Sequence, residues 1–176
     1  MITAAAARDR LERLARSVQD RYAGSEDPPL AGYAMTMATY ATVVAALAGT
    51  ARLTGREVPD RVQVTDVVLC ALATEKLSRL LAKDPVTSPL RAPFTAYQGT
   101  SGPAELSEEV RGTGARKAVG ELVTCPFCMS VWVATGFTAG LVYLPRTTRL
   151  AVATLAALAG ADLLQFARAG LEKASS

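Results

Sequence analysis

The sequence predicts an all-α integral membrane protein: a four-helix bundle with a cytoplasmic loop that carries short helices. The first observation is that the chain contains two runs of 24 positions without a charged side chain, residues 28–51 and 122–145. About 20 apolar residues suffice for a helix to cross a bilayer. The second is composition, because half of the 176 residues are apolar while only 6% are aromatic. Ala, Leu, Val and Thr supply most of the small and apolar residues, and we interpret this composition as more typical of packed helices than of sheet.

Two regions are predicted along the chain. Residues 1–27 form an Arg-rich N-terminal amphipathic helix, which a polar break separates from a membrane domain at residues 28–176. The first residues lack the short apolar core and cleavage site of a signal peptide, so we expect the N-terminus in the cytoplasm. The spans are predicted at about residues 32–52, 62–82, 127–145 and 149–167, with the cytoplasmic loop at residues 83–126.

The second predicted span contains Asp66, Glu75, Lys76 and Arg79, so residues 62–82 either lie on the membrane or cross it with their charges facing protein. The distribution of Lys and Arg favours crossing. Four spans place twelve of these residues on the cytoplasmic side and five outside, which agrees with the positive-inside rule. This topology puts both termini and the middle loop in the bacterial cytoplasm. Without the second span, the loop and its cysteines would lie outside.

The motif Cys125-Pro126-Phe127-Cys128 stands at the entrance of the third span. Pro126 suits the first helical position, and the partial positive charge of a helix N-terminus favours an anionic sulfur. Two thiols at this spacing suit redox chemistry or metal binding, and they are also small enough simply to pack.

The composition limits the metal hypothesis, because the chain has no histidine and its third cysteine, Cys70, is expected in the middle of the membrane. A zinc ion or iron–sulfur cluster held by four cysteines would need Cys125 and Cys128 from two chains. A mixed site that includes Glu121 is the weaker alternative. The missing histidine also excludes His-based triads.

Ionisable side chains inside a membrane are usually paired or functional. Asp162 precedes Arg168 by six residues and Lys76 precedes Lys83 by seven, so both are predicted at a similar depth below the inner face. We predict that Asp162 pairs with Lys76 or Arg79, and that Glu75 pairs with Arg79 one turn away. A proton or ion relay through Asp66, Glu75 and Asp162 is the functional alternative.

The middle loop is predicted to be irregular with short helices. Residues 98–103 read as a flexible loop, and residues 104–110 and 115–123 as short helices. Prolines prevent a continuous helix in the first part of the loop: Pro85, Pro89 and Pro93.

Two blocks of the sequence resemble a known family. One runs from Lys76-Leu77-Ser78-Arg79 to Arg91-Ala92-Pro93-Phe94, and the other joins Gly120–Cys128 to Trp132. Together, over residues 36–167, they resemble the bacterial family called domain of unknown function 1360. Its members are small predicted membrane proteins of sporulating Gram-positive bacteria and actinobacteria, among others. The resemblance implies helices embedded in a membrane and no particular reaction.

The resemblance also draws attention to Arg79, Arg91 and Glu121, which would lie beside the cysteines at the cytoplasmic mouth. One interpretation is a folded cap over the end of the bundle, in which Asp84 and Glu121 pair with Arg91 and Arg79. The other is a cofactor-type site that binds an anionic lipid head group or a small ligand.

We expect a non-enzymatic scaffold or assembly subunit, surrounded by membrane lipids and present as a homo-oligomer or within a membrane complex. Gly136 and Gly140 form a G-x-x-x-G pattern that allows close contact between helices, within one bundle or between chains. The alternatives are a membrane thiol-redox protein that uses Cys125 and Cys128, and a small transporter or channel subunit. The net charge of +3 gives no argument for a nucleic-acid partner.

Overall fold

The computed structural model describes residues 4–23, 28–57, 59 and 61–175, and it is mostly helical. The predicted break before residue 28 falls largely on residues 24–27, which lie outside the described ranges. A short 3₁₀ turn at Pro85–Thr87 follows α3. The helices and strands of the described ranges are α1 (Ala4–Tyr22), α2 (Leu30–Leu53), α3 (Val64–Lys83), α4 (Ser88–Arg91), β1 (Thr95–Gly102), β2 (Glu105–Val110), α5 (Gly114–Thr124), α6 (Pro126–Tyr143) and α7 (Pro145–Ala174).

Among the described helices, α2, α6 and α7 are long and apolar enough to cross a membrane. They match the first, third and fourth predicted spans. α3 occupies the second, but its charged residues keep it outside this class by composition. The break predicted between the last two spans is wrong in extent: Leu144 alone separates α6 from α7, and Pro145 opens α7 at a position where a missing N–H costs little.

Contacts between the long helices define their relative directions. Tyr143 near the end of α6 donates to the Leu47 carbonyl near the end of α2, and Tyr40 contacts Trp132 and Thr135 half-way along α6. α2 and α6 therefore run parallel. α7 turns back directly after α6, and α3 runs with α7 because its early and late residues contact early and late residues of α7. Directions thus alternate along the chain.

The tightest core lies where α3, α6 and α7 meet. Ala73, Val133, Phe137 and Val152 form a buried cluster, with Ala73 fully inaccessible. Leu69, Leu77 and Leu155 pack around it. α3 is thus the central helix of the bundle although five of its 20 residues are charged.

The loop between α3 and α5 contains a β-hairpin, which corrects the all-α prediction. β1 pairs antiparallel with β2, and the pairing joins Thr95 to Val110 and Gly102 to Glu105. Residues 98–102 are therefore strand rather than flexible loop, and residues 105–110 are strand rather than helix. Pro103 and Ala104 make the turn, and Ala104 has φ 58°, a value that a type II turn requires at its third position. The helix predicted at residues 115–123 is confirmed as α5.

α2 is attached to the rest of the molecule at its first turn. Gly32 is buried against α5, where an added Cβ would lie 2.7 Å from Ala118 Cβ and 2.9 Å from the Gly114 carbonyl oxygen. Only a glycine allows this approach without moving one of the two helices.

We expect Gly32→Ala to lower the free energy of unfolding by about 1–3 kcal/mol, because the new methyl group overpacks this contact. Thermal unfolding in detergent measures the change. Gly49→Ala is the matched control on the same helix, since a Cβ there meets no heavy atom within 4 Å. Equal unfolding midpoints for the two variants would contradict the close packing of α2 on α5.

Candidate functional site

Residues 84–124, here called the cap, fold over one end of the bundle, and Arg91 is its anchor. The Arg91 side chain is 1% exposed and pairs with Glu108, which is 6% exposed, at 2.5 Å. Its guanidinium also donates to the Leu81 carbonyl at 2.8 Å and to the Asp84 carbonyl at 3.1 Å. One side chain therefore joins strand β2 to the carboxyl end of α3, where carbonyl groups lack helical partners.

Neighbouring hydroxyl groups complete the same network. Thr87 accepts a hydrogen bond from Arg91 and itself donates to the Leu80 carbonyl. Thr95 donates to the second carboxylate oxygen of Glu108 at 3.2 Å. Among the described residues, no buried side-chain nitrogen or oxygen lacks a partner. The predicted pairing of Arg91 with the Asp84 carboxylate is wrong, because that carboxylate accepts from the backbone N–H of Val86.

Arg79 and Glu121, the other two residues proposed for a ligand site, are also engaged within the chain. Arg79 forms an ion pair with Glu105 in the hairpin and lies 3.9 Å from Glu75 on its own helix. Glu121 accepts a hydrogen bond of 2.5 Å from the Tyr33 hydroxyl. The predicted Arg79–Glu121 pairing is therefore wrong. The pairing of Arg79 with Glu75 is present.

The two thiols lie at the start of α6 as the motif predicts. Cys125 is the N-cap residue, Pro126 opens the helix, and Cys125 Sγ accepts from the backbone N–H of Cys128 at 3.3 Å. Cys128 is exposed, and Phe127 between them is 87% exposed. All three cysteines of the chain are free. This arrangement presents one exposed thiol, Cys128, and one half-buried thiol, Cys125, next to an uncovered aromatic ring.

A complete metal site is not assembled within the described part of the chain. No group of three or more cysteine or acidic side chains there is placed to hold a metal ion. Cys125 and Cys128 would supply two of the four ligands of a structural zinc site. Cys70 sits on α3 against the bundle core. In the shared-site hypothesis, the two further ligands come from a second chain.

Two charged residues of α3 have partners on α7. Lys76 Nζ lies 2.5 Å from Asp162 Oδ2 on α7, the first of the two partners considered for Asp162. Asp66 pairs with Arg149, also on α7, at 3.1 Å. Each of the three acids proposed for a relay, Asp66, Glu75 and Asp162, therefore faces a cation.

Several partners in these networks did not emerge from the sequence: Glu105, Glu108, Tyr33 and Arg149. One signal for Glu108 was present, since Leu106, Glu108 and Val110 alternate with the polar residues Ser107 and Glu109 as residues of one strand face do. The partners of Arg79 and Glu121 depend on how the hairpin and α2 meet the bundle. No local sequence pattern predicts how the hairpin and α2 pack on the bundle.

These features define a mostly helical protein with three helices able to span a membrane, charged contacts between α3 and α7, and a cysteine pair beside a folded cap. The family described as "Protein of unknown function (DUF1360)" matches residues 69–168, which is more than half of the chain. The chain belongs to this family, and the resemblance read from its motifs is confirmed.

A curated relative adds a biological context. Sporulation protein YjcA of Bacillus subtilis (strain 168) is 38% identical over 71 residues, which cover 39% of this chain and 60% of that protein. The match thus spans less than two thirds of the relative's length. No solved structure matches this chain.

Removal of the Arg91 side chain is expected to destabilise the cap strongly. Arg91→Ala leaves the carboxylate of Glu108 buried without its cation, and breaking such a pair costs about 3–5 kcal/mol. Thermal unfolding in detergent measures the loss. Arg168→Ala is the control, because Arg168 pairs with Glu172 on an exposed surface where such contacts contribute less than about 1 kcal/mol. Comparable losses in both variants would argue against the anchor.

Neutralising Asp162 is expected to reduce the folded yield in detergent, because Asp162→Asn leaves the Lys76 ammonium without its anionic partner. The double variant Lys76→Met with Asp162→Leu should recover yield relative to either single change, since an apolar pair needs no counter-charge. Undiminished yield for Asp162→Asn would remove the structural role assigned to this pair.

Proposed function

We propose that this protein is a non-enzymatic assembly subunit of the bacterial cytoplasmic membrane, which crosses the bilayer four times and carries the cap on the cytoplasmic face. The observation that supports the proposal is that the polar residues expected to form a ligand site at the cap end of the bundle contact other groups of the chain instead. Arg79, Arg91 and Glu121, from which a ligand site would be built, all contact partners within the chain. A cap closed in this way suits a scaffold better than a catalyst.

Four spans are supported by direction and by charge. α3 runs opposite to α6 and lies at the centre of the bundle, so a bundle that crosses the membrane would carry α3 with it. An unpaired charge at the centre of a membrane helix costs about 3 kcal/mol by insertion measurements. In α3, Asp66 and Lys76 have partners on α7 that offset this cost. Residues 4–23 hold five Lys and Arg and the cap holds four, against five in all on the outer side of the proposed topology, which supports the cytoplasmic side for both.

The N-terminal helix supports a contact with lipid. Leu11, Leu14 and Val18 share one stripe of α1 and are 66%, 55% and 59% exposed. Five arginines occupy other positions of the helix, together with Asp9, Glu12 and Asp20. Such a helix suits the surface of an anionic inner leaflet. The name of the curated relative supports a role for the subunit in sporulation.

Labelling of Cys128 tests the topology. In a variant with Cys70→Ser and Cys125→Ser, a membrane-impermeant maleimide should react with Cys128 only after the cells are permeabilised, because four spans place this exposed thiol in the cytoplasm. Gly55→Cys on the same background, without Cys128, is the control and should react in intact cells. Reaction of Cys128 in intact cells would mean that α3 does not cross the membrane, and would overturn the proposal.

A second candidate function is thiol-redox chemistry at the membrane. It is favoured by the position of Cys125 as N-cap, where its sulfur accepts an N–H at the positive end of a helix. Oxidation would join Cys125 to Cys128 as a disulfide and pass two electrons and two protons to an oxidant such as a quinone.

Elemental analysis with a thiol count before and after chelation separates the two roles of the cysteine pair. A shared structural site predicts one zinc ion or one cluster per two chains, with thiols that become reactive when the metal is removed. The redox function predicts metal-free protein whose Cys125–Cys128 disulfide forms with a quinone and is opened by a reductant. Serine at both positions is the control for either result.

A further inference from the structure

A groove of about 1020 Å³ lies between α3 and α6, and it is here called the α3–α6 groove. Its middle is lined mainly by small or short side chains. Those on α3 are Cys70, Ala71 and Thr74, and those on α6 are Ser130, Ala134 and Thr138. The three from α6 recur every fourth residue, so they share one helical face. Ala71, Ala134 and Thr138 are exposed, so this wall of the bundle is uncovered.

The length of the groove indicates the kind of molecule that covers it. Its lining on α6 extends from Pro126 to Val142, a helical rise of about 24 Å at 1.5 Å per residue. The apolar core of a bilayer is about 30 Å thick, so the chains of a lipid reach only about half of that depth. A groove that continues across most of the membrane matches a spanning helix rather than a lipid from one leaflet.

The charges at the groove indicate that this helix is uncharged. Asp66 and Arg149 at one end pair with each other, as do Glu75 and Arg79 at the other. A helix with charged residues would disturb these ion pairs, whereas an uncharged helix with a face of small residues leaves them intact. Small residues on both surfaces allow the close backbone approach that drives association of membrane helices.

Helix α2 is uncharged over most of its length, is long enough to span a membrane and has a face of small residues. It carries no charge from Leu30 to Ala51, and its polar and aromatic contacts with α5 and α6 come from one face: Tyr33, Tyr40 and Leu47. On the opposite face a stripe of small residues recurs at heptad-like spacing: Ala38, Thr42, Ala45 and Gly49. A Cβ at Gly49 would meet nothing within 4 Å.

We propose that the α3–α6 groove of one copy receives α2 of a second copy, which makes the protein a homodimer. The inference rests on the proposed four-span topology. A two-fold axis along the membrane normal keeps both copies in the same orientation, so α2 of the second copy enters parallel to α6 and at its own depth. The contact buries the small-residue face of α2 and covers Cys70 in the first half of α3.

Cysteine cross-linking in native membranes tests the contact with Cys70 as its natural reporter. On a background with Cys125→Ser and Cys128→Ser, Ala38→Cys and Thr42→Cys bracket the depth of Cys70. Oxidation with copper phenanthroline should give at least about fivefold more covalent dimer for one of these than for Val44→Cys, because a disulfide needs Cα atoms within about 7 Å. Val44→Cys is the matched control, since it lies at similar depth on the face of α2 that turns toward its own α6.

A second measurement keeps the proposal independent of cysteine reactivity. Ala134→Leu should fill the groove and reduce energy transfer between donor- and acceptor-labelled copies in liposomes at least about tenfold, because overpacking excludes the second α2. Ala153→Leu on the exposed side of α7 is the control. Cross-linking no higher than for Val44→Cys, or energy transfer unaffected by Ala134→Leu, would overturn the dimer. Maleimide labelling of Cys128 reports separately on the four-span topology, so failure of the dimer and failure of the topology are distinguishable.

Discussion

The contact between the Arg91 guanidinium and the Glu108 carboxylate holds the cap on the bundle. Both groups are almost inaccessible to water, and a buried charge is tolerated only when its partner and its remaining hydrogen bonds are in place. Here the remaining donors of Arg91 go to carbonyl groups at the end of α3 and to Thr87. The hairpin, α4 and the central helix are thus fixed by one side chain.

The same logic of paired charge extends into the bundle. In the proposed four-span topology, α3 combines a buried face, centred on Ala73, with ionisable groups that a lone membrane helix could hold only at high cost. Contacts with α7 at Asp66 and Lys76 compensate for these groups, and they also align the two helices along their length. α2 has no such fixation. It is attached through Gly32 and a few aromatic side chains, which leaves most of its surface uncovered.

In the cap, the sequence pattern and the structure agree only in part. Prolines at 85, 89 and 93 correctly predicted an interrupted helix, and Cys125-Pro126 correctly marked the start of α6. The hairpin was missed because its signals are weak: β1 contains two glycines and β2 contains three glutamates, residues that are depleted in strands. Glu108 is tolerated in the strand because its carboxylate is paired with the Arg91 guanidinium. A local pattern within β2 cannot show this, because Arg91 lies outside the strand.

The sequence by itself determined the long apolar helices, the position of the cysteine pair and the membership of the family, because each is written in contiguous residues or in a local spacing. It also limited the expected partner of Asp162 to Lys76 or Arg79, because the depth of a residue along a helix follows from its position in the sequence. Only the tertiary structure decided that Lys76 is the partner, that Arg91 meets Glu108 and that Glu121 meets Tyr33. These choices depend on how separate elements pack, and an ion pair or hydrogen bond forms with whichever group the packing brings within reach.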